Sequence, residues 1–129
     1  MANDSTNDGQ PPLLGRLLFA SGLAVLALRN LTNLGGRIDY AEYKGVPSPE
    51  TLVPASSGLL LGGSLGIALW KLPKLSAASI ATFFVGVTPV MHDFWAVDED
   101  SRDEELTSFL QNVTLLGAAV VFVDWATGE

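Results

Sequence analysis

The side chains with chemistry to offer are few, and they gather near the ends of apolar stretches. His92 and Asp93 stand side by side at the foot of a run from residue 76 to residue 91 that carries no charge. Arg29 interrupts an earlier apolar stretch close to its end, and Ser108 and Asn112 lie four apart near the start of the last one. Asp39 and Tyr43 belong to a polar segment between the first two stretches. A histidine beside a carboxylate can take up and release protons near neutral pH. An arginine beside a carboxylate can instead form a buried ion pair that only fixes helices together. The constellation fits either role, and it does not fit a metal centre. One histidine and no cysteine cannot make a thiolate site, an iron–sulfur cluster, a covalent haem attachment or a bis-histidine haem within one chain.

The elements that must position these groups are four apolar segments at residues 13–34, 52–72, 74–95 and 106–125. Each approaches the 20 or so mainly apolar residues needed to cross the hydrocarbon of a bilayer. The expected fold is all-α: an integral membrane four-helix bundle with up-down topology, occupying residues 13–127 behind an acidic, disordered tail at residues 1–12. The polar segment 37–54 is expected to be a structured loop with a short amphipathic turn around residues 38–43.

Alternation of four spans brings the end of the first, the start of the second, the end of the third and the start of the fourth to one membrane face. Arg29, His92, Asp93, Ser108 and Asn112 then share one half of the bilayer, with Asp39 and Tyr43 in a lid above them. At about 1.5 Å per residue, Arg29 sits roughly 6 to 8 Å inside its helix end, a depth compatible with pairing to Asp93. Stripes of small and polar residues mark where membrane helices face each other. On that rule Gly15, Gly22 and Arg29 point into the bundle, as do Ser79, Thr82, Gly86, Pro89 and Asp93. Gly58, Gly62 and Gly66 form a doubled small-xxx-small motif, expected to serve internal packing, with homo-oligomerisation as the alternative. Arg16, near the start of the first span, is expected to snorkel to the interface.

Composition narrows the class further. Fourteen acidic residues against seven basic ones, a net charge of −7, suit neither a nucleic-acid surface nor an anionic lipid patch. An acidic, lysine-poor exterior also suits concentrated salt. Lys71 and Lys74 flank a very short turn without acids, which places that turn, and with it both termini, on the cytoplasmic side. The acidic loop at residues 98–105 then lies outside.

Several pieces together resemble the DoxX family of small four-helix membrane proteins, particularly its archaeal members: Leu14-Gly-Arg-Leu-Leu-Phe19, the loop from Tyr40 ending Lys-Gly-Val-Pro47, Leu52-Val-Pro54 before the glycine-rich second span, His92-Asp-Phe-Trp95, and Phe109-Leu-Gln-Asn112 before Leu115-Leu-Gly117. Relatives commonly carry lysine where this chain has Gln111. The resemblance implies an integral protein of the cell membrane. Through the family's association with thiosulfate:quinone oxidoreduction, it also implies an accessory subunit of a quinone-linked redox system, with His92 and Asp93 exchanging protons with a quinone oxygen. The alternative is a non-enzymatic scaffold that stabilises a larger complex. The chain is expected to hold no cofactor of its own, which leaves quinone as the group to test. Its expected partners are the lipid bilayer and either another protein or a second copy.

Overall fold

Proline opens three of the helices. It lacks the N–H that a first turn would leave unsatisfied, and its φ is already helical. Pro49 and Pro73 are first residues of their helices, and Pro12 immediately precedes another. The computed structural model describes residues 10–127 and contains, among them, no strand. Its helices are α1 (Leu13–Thr32), α2 (Leu34–Tyr43), α3 (Pro49–Leu69), α4 (Pro73–Met91) and α5 (Glu99–Thr127). Of these α1, α3, α4 and α5 are long and apolar enough to cross a membrane. Residues 1–9 of the expected tail lie outside the described residues, and 10–12 have no regular structure.

Two sets of contacts establish the topology. At one end the start of α1 meets the ends of α3 and α5: Arg16 lies 5.8 Å over the Trp70 ring, and Phe122 lies 4.9 Å from Phe19 and 6.3 Å from Trp70. At the other end α2, the end of α4 and the start of α5 converge, as Tyr40 bonds Met91 and His92 meets Glu105. The spans therefore alternate in direction, giving the up-down four-helix membrane bundle. α3 packs against α1 and α4, α4 against α5, and α2 lies mainly on α3. The core is built from Leu23, Leu60, Ile67, Ile80 and Phe84 with small residues between them. Gly63 sets the closeness of α3 to α4, since a Cβ there would come within 2.9 Å of both Ile80 Cγ1 and the Ser76 carbonyl oxygen.

The buried faces differ from those expected. α1 buries Arg16, Ala20, Leu23 and Ala27, while Gly15, Gly22 and Arg29 are exposed. α3 buries Ser57, Leu60, Gly63, Ser64 and Ile67. Gly58 and Gly62 are exposed and border open space, and only Gly66 of that trio meets a neighbouring helix, at Ser76. α4 buries Ser76, Ala77, Ile80, Phe84 and Thr88, with Thr82, Gly86 and Pro89 outside. The reason is geometric. Adjacent residues stand about 100° apart around a helix, so Gly15 and Gly22, each one position from the buried Arg16 and Leu23, are turned off the contact face. The face α1 buries instead follows i, i+4, i+7 and i+11, close to the 3.6-residue period.

Helix ends moved as well. Gly35-Gly36 does not end a helix; the break is Asn33 (φ −130°, ψ 42°), and both glycines sit in the first turn of α2. α4 stops at Met91 and not at Trp95, because Pro89 has no N–H to bond Val85 and His92 leaves the helical region (φ −128°, ψ 55°). α5 begins at Glu99, seven residues earlier than expected. Glu99 and Asp100 in its first turn favour the positive end of the helix. The acidic loop is thus largely the first two turns of a helix, and Glu105 acquires a fixed facing.

Candidate functional site

The site forms where four chain elements end at one membrane face. Beyond α4, residues 92–95 turn sharply, with the Phe94 N–H bonding the His92 carbonyl and the Ala96 N–H bonding that of Asp93. The turn is pinned to α5 by an aromatic cluster. Phe109 lies 5.2 Å from Phe94 and 5.9 Å from Trp95, both edge-on. This anchoring carries His92 and Asp93 in different directions. His92 Nδ1 meets Glu105 Oε1 of α5 at 2.9 Å. Asp93 Oδ1 accepts from Lys44 Nζ, at the end of α2, at 2.5 Å.

Lys44 is well shielded, its side chain 8% exposed against 22% for Asp93. Its ammonium also lies 5.6 Å from the Tyr40 ring, one helical turn earlier. Tyr40 donates its hydroxyl to the Met91 carbonyl at 3.2 Å, so α2 is tied to the end of α4 twice. Electrostatics follow from this geometry. The hydrogen bond from Lys44 holds the Asp93 carboxyl below the usual carboxylate range, and the same bond raises the Lys44 ammonium. Burial, reinforced by the negative charge of Glu105, raises the Tyr40 phenol. Glu105 thus acts on both sides of the cluster, linking the Lys44–Asp93 ion pair and its own contact with His92 into one polar assembly.

Beside the assembly lies an open cleft of about 360 Å³, lined by His92, Glu105, Ser108, Thr107 and the more peripheral Asp103 and Glu104. Ser108 follows Glu105 by three residues and Asn112 follows it by seven, one helical face. Both are half-buried. Asn112 makes no side-chain hydrogen bond among the described residues. The cleft can exchange protons through His92 and Glu105 and can offer hydrogen bonds from His92 and Ser108. No group of three side chains suited to a metal ion occurs among the described residues.

The residues singled out from sequence are therefore divided. His92, Asp93 and Ser108 come together at this face, with Asn112 deeper on the Ser108 face. Arg29 does not join them. It is exposed on α1 and makes no ion pair among the described residues, because two residues past the buried Ala27 is about 200° around the helix. Asp39 is exposed, and Tyr43 is 81% exposed with its ring 6.4 Å from Tyr40. Lys44 and Glu105 were missed as site residues. A signal for Glu105 existed in the 105/108/112 spacing, hidden by starting the last helix at residue 106. Lys44 carried none beyond standing one turn after Tyr40.

Arg16 is a further departure. It does not snorkel outward but is buried, donating Nη1 to Gln10 Oε1 at 2.9 Å beneath the Trp70 ring.

Four alternating apolar helices, closed at one face by a polar assembly, define a multi-pass α-helical membrane protein. A sequence model of DoxX matches residues 12–93, and the chain belongs to the DoxX family. The matched stretch takes in α1 to α4, Lys44, His92 and Asp93, and ends before Glu105, Ser108 and Asn112. Comparison with curated proteins and with solved structures returned no match.

Proposed function

We propose that this protein is an accessory subunit of a quinone-linked redox system in the membrane, and that the cleft at His92 and Glu105 is where protons are exchanged with a quinone headgroup. The observation carrying this reading is the pairing of His92 with Glu105 at the wall of a polar cleft that also presents the Ser108 hydroxyl. A quinone headgroup has two carbonyl oxygens that need donors, and His92 and Ser108 are donors of the right kind. The two-electron chemistry belongs to the quinone and to a partner enzyme. The chain's own part is protonic: with Nδ1 engaged by Glu105, the Nε2 atom of His92 is left to donate to an oxygen, and the Glu105 carboxylate steadies the imidazolium that precedes donation. Lys44 and Asp93 hold the adjoining turn in place.

Titrating a short-chain quinone into the purified protein, read by quenching of tryptophan fluorescence, tests this directly, since Trp95 packs on Phe109 beside the cleft. Saturable quenching weakened about tenfold by His92→Asn is expected, the loss of one hydrogen bond involving a charged group. Absence of saturable quenching, or indifference to both His92→Asn and Ser108→Ala, refutes it.

A scaffold role is favoured by a different observation: each of the two contacts joins separate elements, Lys44–Asp93 tying α2 to the turn after α4 and His92–Glu105 tying that turn to α5. In that reading the assembly only clamps the bundle end. The same variants then lower thermal stability while leaving quinone binding absent throughout.

A further inference from the structure

The opposite end of the bundle has the reverse electrostatic character. Arg16 is 7% exposed. One of its nitrogens bonds a neutral amide, its face stacks on Trp70, and its Nε has no partner. No carboxylate pairs with it among the described residues. Lys71, in the turn that follows Trp70, and Lys74, in the first turn of α4, are both exposed. Among the described residues this end therefore carries three cations against one carboxylate, Asp124. A buried guanidinium without a counter-charge is costly, and it favours an anion nearby.

From the same end a groove of about 400 Å³ runs along the outside of the bundle between residues 14–24 of α1 and 64–68 of α3. Its α3 wall ends two residues short of Trp70, about 3 Å along the helix, so the groove opens at the level of the cations. Its α1 wall extends about 15 Å, half of a hydrocarbon core of about 30 Å, the depth of one leaflet. The groove offers hydrocarbon only. Its two hydroxyls are satisfied within their own helices, Ser21 by the Leu18 carbonyl and Ser64 by that of Leu60.

We propose that this end of the bundle binds an anionic phospholipid of the surrounding bilayer, with its phosphate drawn by Arg16, Lys71 and Lys74 and one acyl chain lying in the α1–α3 groove. Charge alone would attract lipid headgroups loosely, and an apolar groove alone would take any chain. The two together, at matching depth, select a lipid by its headgroup and hold it by its tail. This site is separate from the cleft at His92 and does not depend on the redox reading.

Native mass spectrometry of the delipidated protein, loaded from detergent with equimolar phosphatidylglycerol and phosphatidylcholine of the same chains, tests the proposal. One phosphatidylglycerol should be retained in preference by fivefold or more, roughly the effect of one well-placed cation on an anionic surface. Lys71→Gln with Lys74→Gln should abolish the preference, and Ala24→Phe, which fills the groove, should abolish retention. A melting curve within a few degrees of wild type qualifies each variant as folded. These surface and groove variants avoid Arg16, whose replacement could disturb the fold. Equal retention of the two lipids overturns the proposal, as does a preference that survives either set of substitutions.

Discussion

Lys44 and Asp93, from the end of the loop helix α2 and from the turn beyond α4, meet at 2.5 Å with the lysine side chain almost wholly shielded. Asp93 thus has its cation from a segment outside the membrane spans, and Arg29 is left on the outer surface of α1. A mutant cycle distinguishes these two assignments. Lys44→Leu and Asp93→Leu should each lower thermal stability in detergent, and the double variant should recover much of the loss, because removing one partner strands the other. Arg29→Leu should fall within about 0.5 kcal/mol of wild type, as surface substitutions usually do. Additive losses at Lys44 and Asp93 contradict the pairing.

The pair also sets a pH window. Asp93 is held below its ordinary value of 3.8, so its contribution is present above that value and disappears as pH falls through the lowered one. Lys44 is held above its ordinary 10.5, so its contribution is present below that value and disappears as pH rises through the raised one. Melting temperatures measured across pH should show an acid limb that is reduced in Asp93→Asn, and an alkaline limb that is reduced in Lys44→Gln. Limbs unchanged in these variants would assign the pH dependence elsewhere.

The glycines of α3 should not behave alike. Gly63→Ala should destabilise by about 1 to 3 kcal/mol, the usual cost of overpacking, because the new methyl meets Ile80 and the Ser76 carbonyl at 2.9 Å. Gly66→Ala should also destabilise, by displacing the Ser76 hydroxyl from its bond to the Lys71 carbonyl. Gly58→Ala and Gly62→Ala meet nothing within 4 Å and should be neutral or gain up to about 1 kcal/mol from helix propensity. Unfolding in denaturing detergent gives the comparison. Loss at Gly62 equal to that at Gly63 would show the outer stripe to be a packed face.

Tyr40→Phe removes only the hydroxyl that donates to the Met91 carbonyl. A loss of about 0.5 to 1.5 kcal/mol is expected for one such hydrogen bond, concentrated locally. Hydrogen exchange should quicken in α2 and in the turn after α4, with the cores of α1 and α3 unchanged. Uniform quickening throughout the bundle would mean that α2 is a general stability element and not a separately docked cap.

By itself the sequence determined that four spans alternate across a membrane and that His92, Asp93, Ser108 and Asn112 lie toward one face. Both conclusions rest on quantities that add along the chain: apolar length against bilayer thickness, and the parity of the crossings. Tertiary structure alone decided which side chains meet. Each residue turns a helix by about 100°, so a modest error in axial rotation takes Arg29 or Gly62 from the core to the surface. Partner choice is more sensitive still, because Lys44 reaches Asp93 only once α2, lying mainly on α3, brings its end to the turn beyond α4. Glu105 reaches His92 only because the acidic segment is helical, so that the start of α5 lies alongside the end of α4. Helix rotation and loop docking come from the packing of Leu23, Leu60, Ile80 and Phe84 against one another, and that packing is settled between distant segments, beyond what any local pattern records.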